Sequence, residues 1–149
     1  MNYSIKELSN ISGINKITLR SWEDRYGFLV AKRTKTNIRQ YTTEQLLCAI
    51  NTSALLSCGH KISLISKKSF AEISALVDSS FHANDVNNEV YISRILSSAV
   101  LNNRDIFDST IYKGFIEMGL VDFYSDIMYV ALQKIGLIWT VNSKESNHE

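Results

Sequence analysis

The sequence predicts an all-α protein with a small β wing, made of a winged helix-turn-helix domain followed by a four-helix bundle. Apolar residues recur at helical spacing through most of the chain, and its 149 residues include no proline. Alternating apolar and polar residues are confined to one short basic segment before Tyr41. A hydrophobic content of 45% is enough for a packed core, so we do not expect a disordered chain.

The first two helices are predicted on either side of Gly13. Ser4 can cap the first helix through its hydroxyl, and the second runs from about Asn15 to Tyr26. Its apolar body is expected to come from Ile17, Leu19 and Trp22. Because two short helices joined by a glycine turn have the order of a helix-turn-helix, the second helix is the expected groove reader.

A basic segment after Gly27 is predicted to form a two-stranded wing. Lys32, Arg33, Lys35 and Arg39 lie within eight residues without an acidic side chain among them. Asn37 stands where the hairpin needs a positive φ, which asparagine tolerates better than most residues. Two apolar side chains are expected to hold the wing against the core, namely Ile38 and Tyr41.

Charge divides unevenly along the chain although the net charge is only +1. Residues 1–41 carry eight basic and three acidic side chains, a balance of +5, whereas the remainder carries eight basic and twelve acidic ones, a balance of −4. The basic part coincides with the helix-turn-helix pattern, so it predicts a surface that binds a polyanion such as DNA.

Three motifs in this part resemble the MerR-type transcriptional regulators. They are YSIKELSNISGI, TLRSWEDRYGFL and KRTKTNIRQYT, which are similar to that family's first helix, recognition helix and wing. Ala31 stands where the family often has proline, and Asn37 where it often has glycine. The resemblance implies a regulator that binds double-stranded DNA as a homodimer or higher homo-oligomer and distorts the promoter.

Candidate DNA contacts lie on the second helix and the wing. Side chains of the second helix are expected to face the major groove and its phosphates, and those of the wing to contact the backbone. The candidates are Lys16, Thr18, Arg20, Trp22, Arg25, Tyr26, Lys32, Arg33, Thr34, Lys35, Arg39 and Tyr41.

Further helices are predicted after the wing. Thr42 and Gln45 form a capping box for a third helix that ends at Gly59. A short helix is expected over 61–68, with Ile62, Leu64 and Ile65 inward, and the MerR resemblance implies that it ends the DNA-binding domain, 1–68.

The second domain, 69–149, is predicted to hold four helices with short connections. Ser69 and Glu72 form the capping box of the first, Asp105 is expected to cap the third, and Asn and Asp residues place a loop at 82–88. The four helices are expected at about 69–81, 89–103, 105–118 and 121–139.

The C-terminal stretch carries a second resemblance. DIMYVALQKIGLIWTVNSKESNHE is similar to the end of the helical half of a cobalamin-binding module, where Ile-Gly-x-x-Trp precedes a Glu-His pair. Ile135, Gly136 and Trp139 match this pattern, and Glu149 falls at its glutamate. The resemblance implies Trp139 and Glu149 as cofactor contacts in a longer form with a corrinoid α/β domain, and no cofactor in this chain. A core aromatic at the bundle end is an equal interpretation of Trp139.

Other function classes are not favoured. Cys48 and Cys58 lack the spacing of a zinc site, and no metal is predicted. No P-loop, nucleophile elbow or HExxH motif occurs, so no catalytic residue and no enzyme is expected. No run of about 18 apolar residues occurs, which predicts a cytoplasmic protein without a membrane partner.

Two hypotheses remain: a transcription regulator, with repression favoured, or a ligand-sensing or protein-interaction helical module in which DNA binding is secondary.

Overall fold

The computed structural model describes residues 1–83 and 86–147. Its strands are β1 (Asn2–Tyr3), β2 (Lys32–Arg33) and β3 (Arg39–Thr42). Its helices are α1 (Ile5–Ser12), α2 (Lys16–Tyr26), α3 (Thr43–Ser57), α4 (Ile62–Ile65), α5 (Phe70–His82), α6 (Asn88–Val100), α7 (Arg104–Met118), α8 (Leu120–Phe123) and α9 (Tyr129–Ser146). A π-helical segment, Tyr124–Met128, joins α8 to α9. The predicted class, all-α with a small β wing, is confirmed.

The sheet is antiparallel and has the order β1-β3-β2. Strands β2 and β3 form the predicted wing, with Arg33 opposite Arg39. The N-terminal strand β1 was not predicted, since two residues are too few to show an alternating pattern. It pairs Tyr3 with Tyr41, which fixes the base of the wing against the start of α1.

Three helices begin with the hydrogen bonds that their sequences predict. Ser4, Thr42 and Ser69 each accept a bond from the backbone three residues later at α1, α3 and α5. In each case the Glu or Gln at that third position accepts a bond from the cap's own N–H. These boxes satisfy donors that a helix start otherwise leaves without partners.

Helix α6 lies at the centre of the helical part and packs against α3, α5, α7 and α9. Buried apolar side chains from both halves of the chain form one continuous core. The last helix also reaches the first residues, because the Tyr3 hydroxyl donates to Asn142 Oδ1 at 3.3 Å and the Asn2 N–H to Glu145 Oε1 at 2.8 Å. Residues 1–68 and the helical part that follows them are therefore packed together, and the domain boundary at residue 68 stays a prediction.

Several local predictions in the helical part were wrong. Asn103, not Asp105, caps α7, because its Oδ1 accepts the Ile106 N–H at 3.2 Å. His82 is the last residue of α5 rather than part of a loop, and Asn84 and Asp85 lie outside the described residues. Leu64 is exposed instead of inward-facing.

The final helical segment continues to Ser146, beyond the predicted end at Trp139. Polar residues after Trp139 remain compatible with a helix because α9 still packs on α1, with Val141 buried. In the described part of the chain, no helix combines the length and apolar character needed to cross a membrane.

Candidate nucleic-acid interface

Helices α1 and α2 are joined by a tight turn at Gly13. Its φ of 77° is left-handed, and its N–H donates to Ser9 O, which ends α1. Asn15 then starts α2 by accepting the Ile17 N–H at 2.8 Å. This fixes the predicted helix-turn-helix order and sets the direction in which α2 leaves the core.

One face of α2 is buried and the opposite face is exposed. Leu19 and Trp22, three residues apart, pack inward. The Trp22 side chain is only 7% exposed, and its ring centroid lies 6.1 Å from that of Phe28. The expectation that Trp22 faces the groove is therefore corrected to a packing role. Ile17, expected to pack, is 73% exposed beside the polar face.

The exposed face of α2 carries the predicted donors. Lys16, Arg20 and Arg25 are exposed, and Thr18 is half-buried. The guanidinium of Arg25 lies 5.3 Å from the ring centroid of half-buried Tyr26, a cation–π distance. Arg25 is thus held at the C-terminal end of α2 with donors left for a ligand.

The wing is closed by a short hydrogen-bonded turn. Asn37 has the predicted positive φ, 63°, and its N–H donates to Thr34 O at 2.9 Å. The Thr34 hydroxyl accepts the Ile38 N–H at 3.0 Å, so this candidate also serves the wing's own structure. Arg33 Nη1 donates to Asn37 O at 3.2 Å while its side chain stays exposed.

Exposed lysines flank Arg33 on the wing, namely Lys32 and Lys35. Ile38 is also exposed, so the expectation that it holds the wing to the core was wrong. The residues that follow it become half-buried at residue 39, and β3 pairs with β1 only at Tyr41 and Thr42.

Arg39 is half-buried between the wing and α2. Its Nε lies 3.4 Å from Glu23 Oε2, and this ion pair joins β3 to the recognition helix. Glu23 belongs to the Trp-Glu-x-Arg motif, but its pairing with Arg39 was not predicted from sequence. The sequence signal was the adjacent acidic residues Glu23 and Asp24 in a helix that precedes a uniformly basic wing.

Tyr41 lies fully inside the core, so it does not reach the DNA-facing surface as expected. Burial raises the pKa of its phenol, as does the charge of Glu23, whereas nearby Arg39, Arg33 and Arg20 lower it. Arg20 of α2 and the wing residues Arg33 and Arg39 are therefore all near enough to Tyr41 for their charges to lower the pKa of its phenol.

Comparison with protein families agrees with this geometry. Residues 3–69 match the family described as MerR HTH family regulatory protein. These residues are therefore similar to a MerR-type helix-turn-helix domain. The matched region includes α1, α2, the wing, α3 and α4, and this similarity supports binding of double-stranded DNA and transcriptional regulation. A search of curated proteins found no match.

The second candidate site lies on α9 and is only partly described. Trp139 is 67% exposed, so it is not the core aromatic that one interpretation expected, while Ile135 is buried. Glu149 lies outside the described residues. Among residues 1–83 and 86–147, no three His, Cys, Asp or Glu side chains cluster as metal ligands would. Large exposed apolar side chains accompany Trp139 on α7 to α9, including Tyr112, Ile116, Leu120, Val121, Tyr124 and Tyr129.

Proposed function

We propose that the protein is a sequence-specific transcriptional regulator that reads DNA with the MerR-type domain. The observation that carries this proposal is the placement of exposed basic side chains on α2 and the wing, joined by the Arg39–Glu23 ion pair. A basic face formed by a recognition helix and a hairpin matches the polyanionic backbone on both sides of a groove.

The exposed residues divide into two roles under this proposal. Lys16, Thr18 and Arg20, near the N-terminal half of α2, contact base edges in the major groove, where arginine recognises guanine through two hydrogen bonds. Arg25 and the wing residues Lys32, Arg33 and Lys35 contact phosphates and fix the register. Arg39 supports the wing and retains donors that α2 does not use.

We further propose that the regulator acts as a homodimer in the cytoplasm and represses by occupying a promoter. A single helix-turn-helix buries little DNA surface, so specific sites commonly contain two half-sites related by two-fold symmetry. Two copies would place their recognition helices about 34 Å apart along the duplex.

The test begins with selection of bound duplexes from fragmented genomic DNA, followed by titration of the best duplex by fluorescence anisotropy. We expect an enriched inverted repeat, and affinity that falls steeply between 50 and 200 mM salt. The Arg20→Ala variant tests base recognition, and it should lose preference for the selected site more than affinity for random DNA. Equal affinity for all duplexes would contradict sequence-specific regulation.

A second candidate function is that of a ligand-sensing or protein-interaction module centred on α7 to α9. The exposed Trp139 and the other exposed apolar side chains of α7 to α9 favour it, since large apolar side chains left in water are typical of surfaces that bind a partner. Cobalamin is the ligand that the C-terminal resemblance implies. Titration with hydroxocobalamin, followed by visible absorption, tests it: a shift that Trp139→Ala abolishes supports the sensor, and an unchanged spectrum counts against cobalamin binding by this chain.

A further inference from the structure

A cavity of about 360 Å³ lies where the DNA-binding part meets the helical part. Its walls come from α3, α5, α6 and the start of α7, and it opens to solvent near Leu101. Apolar side chains, among them Phe70, Val77 and Ile106, form most of the lining. This size and lining are typical of sites for small organic ligands, which combine an apolar body with a few placed polar groups.

One wall of the cavity is a hydrogen-bonded polar cluster. Asn51 of α3 accepts bonds from Ser93 at 2.6 Å and Ser97 at 3.3 Å, and its Nδ2 donates to Ser74 of α5 at 3.3 Å. An amide nitrogen carries two protons and a serine hydroxyl one, so Asn51 and Ser74 each keep one donor beyond these bonds. The wall therefore offers donors to an acceptor group of a ligand.

Arg94 adds a positive charge to the same wall. Its side chain is 8% exposed, pairs with Asp78, and donates from Nε to Thr110 Oγ1 at 3.3 Å. The guanidinium lies 4.0 Å from the ring centroid of Phe81, which holds its plane in place. Its Nη2 forms no hydrogen bond to a side chain or backbone group in residues 1–83 and 86–147.

The partner of Arg94 leaves room for a second anion. Both residues line the cavity, and the Asp78 side chain is 54% exposed whereas that of Arg94 is 8% exposed. Guanidinium groups present a planar fork of five N–H donors and recognise carboxylates through two parallel bonds. With Nε bound to Thr110 and Nη1 to Asp78, a ligand carboxylate can still accept hydrogen bonds from Nη2, which carries two protons.

We propose that this cavity is an effector site for a small organic acid with an apolar body, whose carboxylate binds Arg94, Asn51 and Ser74. The apolar body lies against Phe70, Val77 and Ile106. Because Asn51 belongs to α3, which packs directly on α1, an occupant contacts the scaffold of the DNA-binding domain. The effect on DNA rests on the proposed function, whereas binding of the acid does not.

Isothermal titration calorimetry of the full chain with octanoate and with 1-octanol tests the site. The two probes share an apolar chain and differ in the head group, so we expect octanoate to bind at least tenfold more tightly. Equal affinities, or no heat with either probe, would overturn recognition of a carboxylate by Arg94.

Two α5 variants locate the binding. Ala75 lines the cavity, whereas Ala71, one turn earlier and also exposed, does not. Ala75→Phe is expected to abolish octanoate binding, and Ala71→Phe, the matched control, to leave it unchanged. Asp78→Asn removes the competing carboxylate from an exposed position and should tighten binding severalfold. Binding that survives Ala75→Phe would place octanoate elsewhere and overturn the site.

The regulatory effect is measured on DNA selected without octanoate. A severalfold change in DNA affinity on adding octanoate, absent in Ala75→Phe, supports the effector role. If octanoate binds but DNA affinity stays the same, the effector role is wrong and the binding site stands. Failure of the chain to select any DNA would instead contradict the proposed function and not the cavity's ligand.

Discussion

The Nε atom of Arg39 lies 3.4 Å from Oε2 of Glu23, so the wing and the recognition helix are held together by an ion pair. The two side chains are 21% and 15% exposed, which limits screening by water. Both charges act on the phenol of fully buried Tyr41, whose pKa Glu23 raises and Arg39 lowers. Arg39 therefore has a positioning role that its presence in a basic wing does not reveal.

The Arg39–Glu23 pair should stabilise the domain measurably. Arg39→Gln and Glu23→Gln are each expected to lower the free energy of unfolding, with a coupling of about 0.5–1 kcal/mol in a double-mutant cycle. Urea unfolding provides the measurement. The exposed pair Arg104–Asp108, with 3.6 Å between Nε and Oδ2, is the control and should show no coupling. Equal coupling in both pairs would contradict the positioning role.

Phosphate contacts should be visible in the salt dependence of DNA binding. Arg25→Ala and Lys35→Ala are each expected to reduce the slope of log affinity against log salt by about one unit, because one fewer counterion is released. Anisotropy titrations at several salt concentrations measure the slope. Lys144→Ala, an exposed change on α9, is the control and should leave it unchanged. A slope that responds equally to all three would remove the assigned interface.

Tyr41 and Tyr3, which face each other across β1 and β3, should respond oppositely to loss of their hydroxyls. Within the described residues the buried Tyr41 hydroxyl has no hydrogen-bond partner, whereas that of Tyr3 donates to Asn142. Tyr41→Phe should leave stability unchanged or raise it, and Tyr3→Phe should lower it by about 1 kcal/mol.

Thermal unfolding of the two tyrosine variants compares their stabilities with that of the parent protein. Their affinities for DNA provide a second comparison. Because the Tyr41 side chain is buried, Tyr41→Phe should bind DNA as the parent does. Weaker binding would restore the original expectation that this hydroxyl contacts the backbone of DNA.

Much of the fold follows from local patterns in the sequence. Capping boxes at Thr42 and Ser69 and the positive φ of Asn37 depend on neighbours within a few residues, so they could be predicted. Trp22 was expected both in the apolar body of α2 and among the DNA contacts, and the sequence could not decide between the two, because the Phe28 ring beside it follows a helix end whose direction the sequence does not show.

Long-range pairings were equally beyond prediction from one sequence. Glu23 meets Arg39 across sixteen residues, and Asn51 meets Ser93 across forty-two. The sequence around Glu23 or Asn51 shows no periodic pattern that identifies the distant partner. The cavity beside Asn51 was missed for the same reason, since it exists only where four helices meet.

Cys48 should be unreactive and should make stability depend on pH. Burial raises the pKa of its thiol to about 11. Because the thiolate is the nucleophile, iodoacetamide at pH 8 should modify half-exposed Cys58 well before Cys48, as mass spectrometry of peptides would show. Equal labelling of the two residues would contradict this.

The sign of the pH effect follows from the raised pKa of Cys48. The unfolded chain loses this proton at the ordinary thiol value and the folded chain only near pH 11, so the unfolded state binds fewer protons in between. Stability from this group is complete below the ordinary value and falls as pH rises through the interval. Cys48→Ala should lessen that fall, measured by urea unfolding at a series of alkaline pH values.

Two helical glycines should show opposite effects of an added methyl group. At Gly114 of α7 a Cβ would overlap the fully buried Phe123 ring, so Gly114→Ala should cost about 1–3 kcal/mol by forcing the rings and helices apart. At Gly136 of α9 a Cβ meets open space, and Gly136→Ala should stabilise by about 0.5–1 kcal/mol through a less flexible unfolded chain. Urea unfolding of both variants measures the two changes in the free energy of unfolding. Stabilisation at both positions would mean that α7 does not approach Phe123 as closely as the structure shows, because helix propensity alone favours alanine at either site.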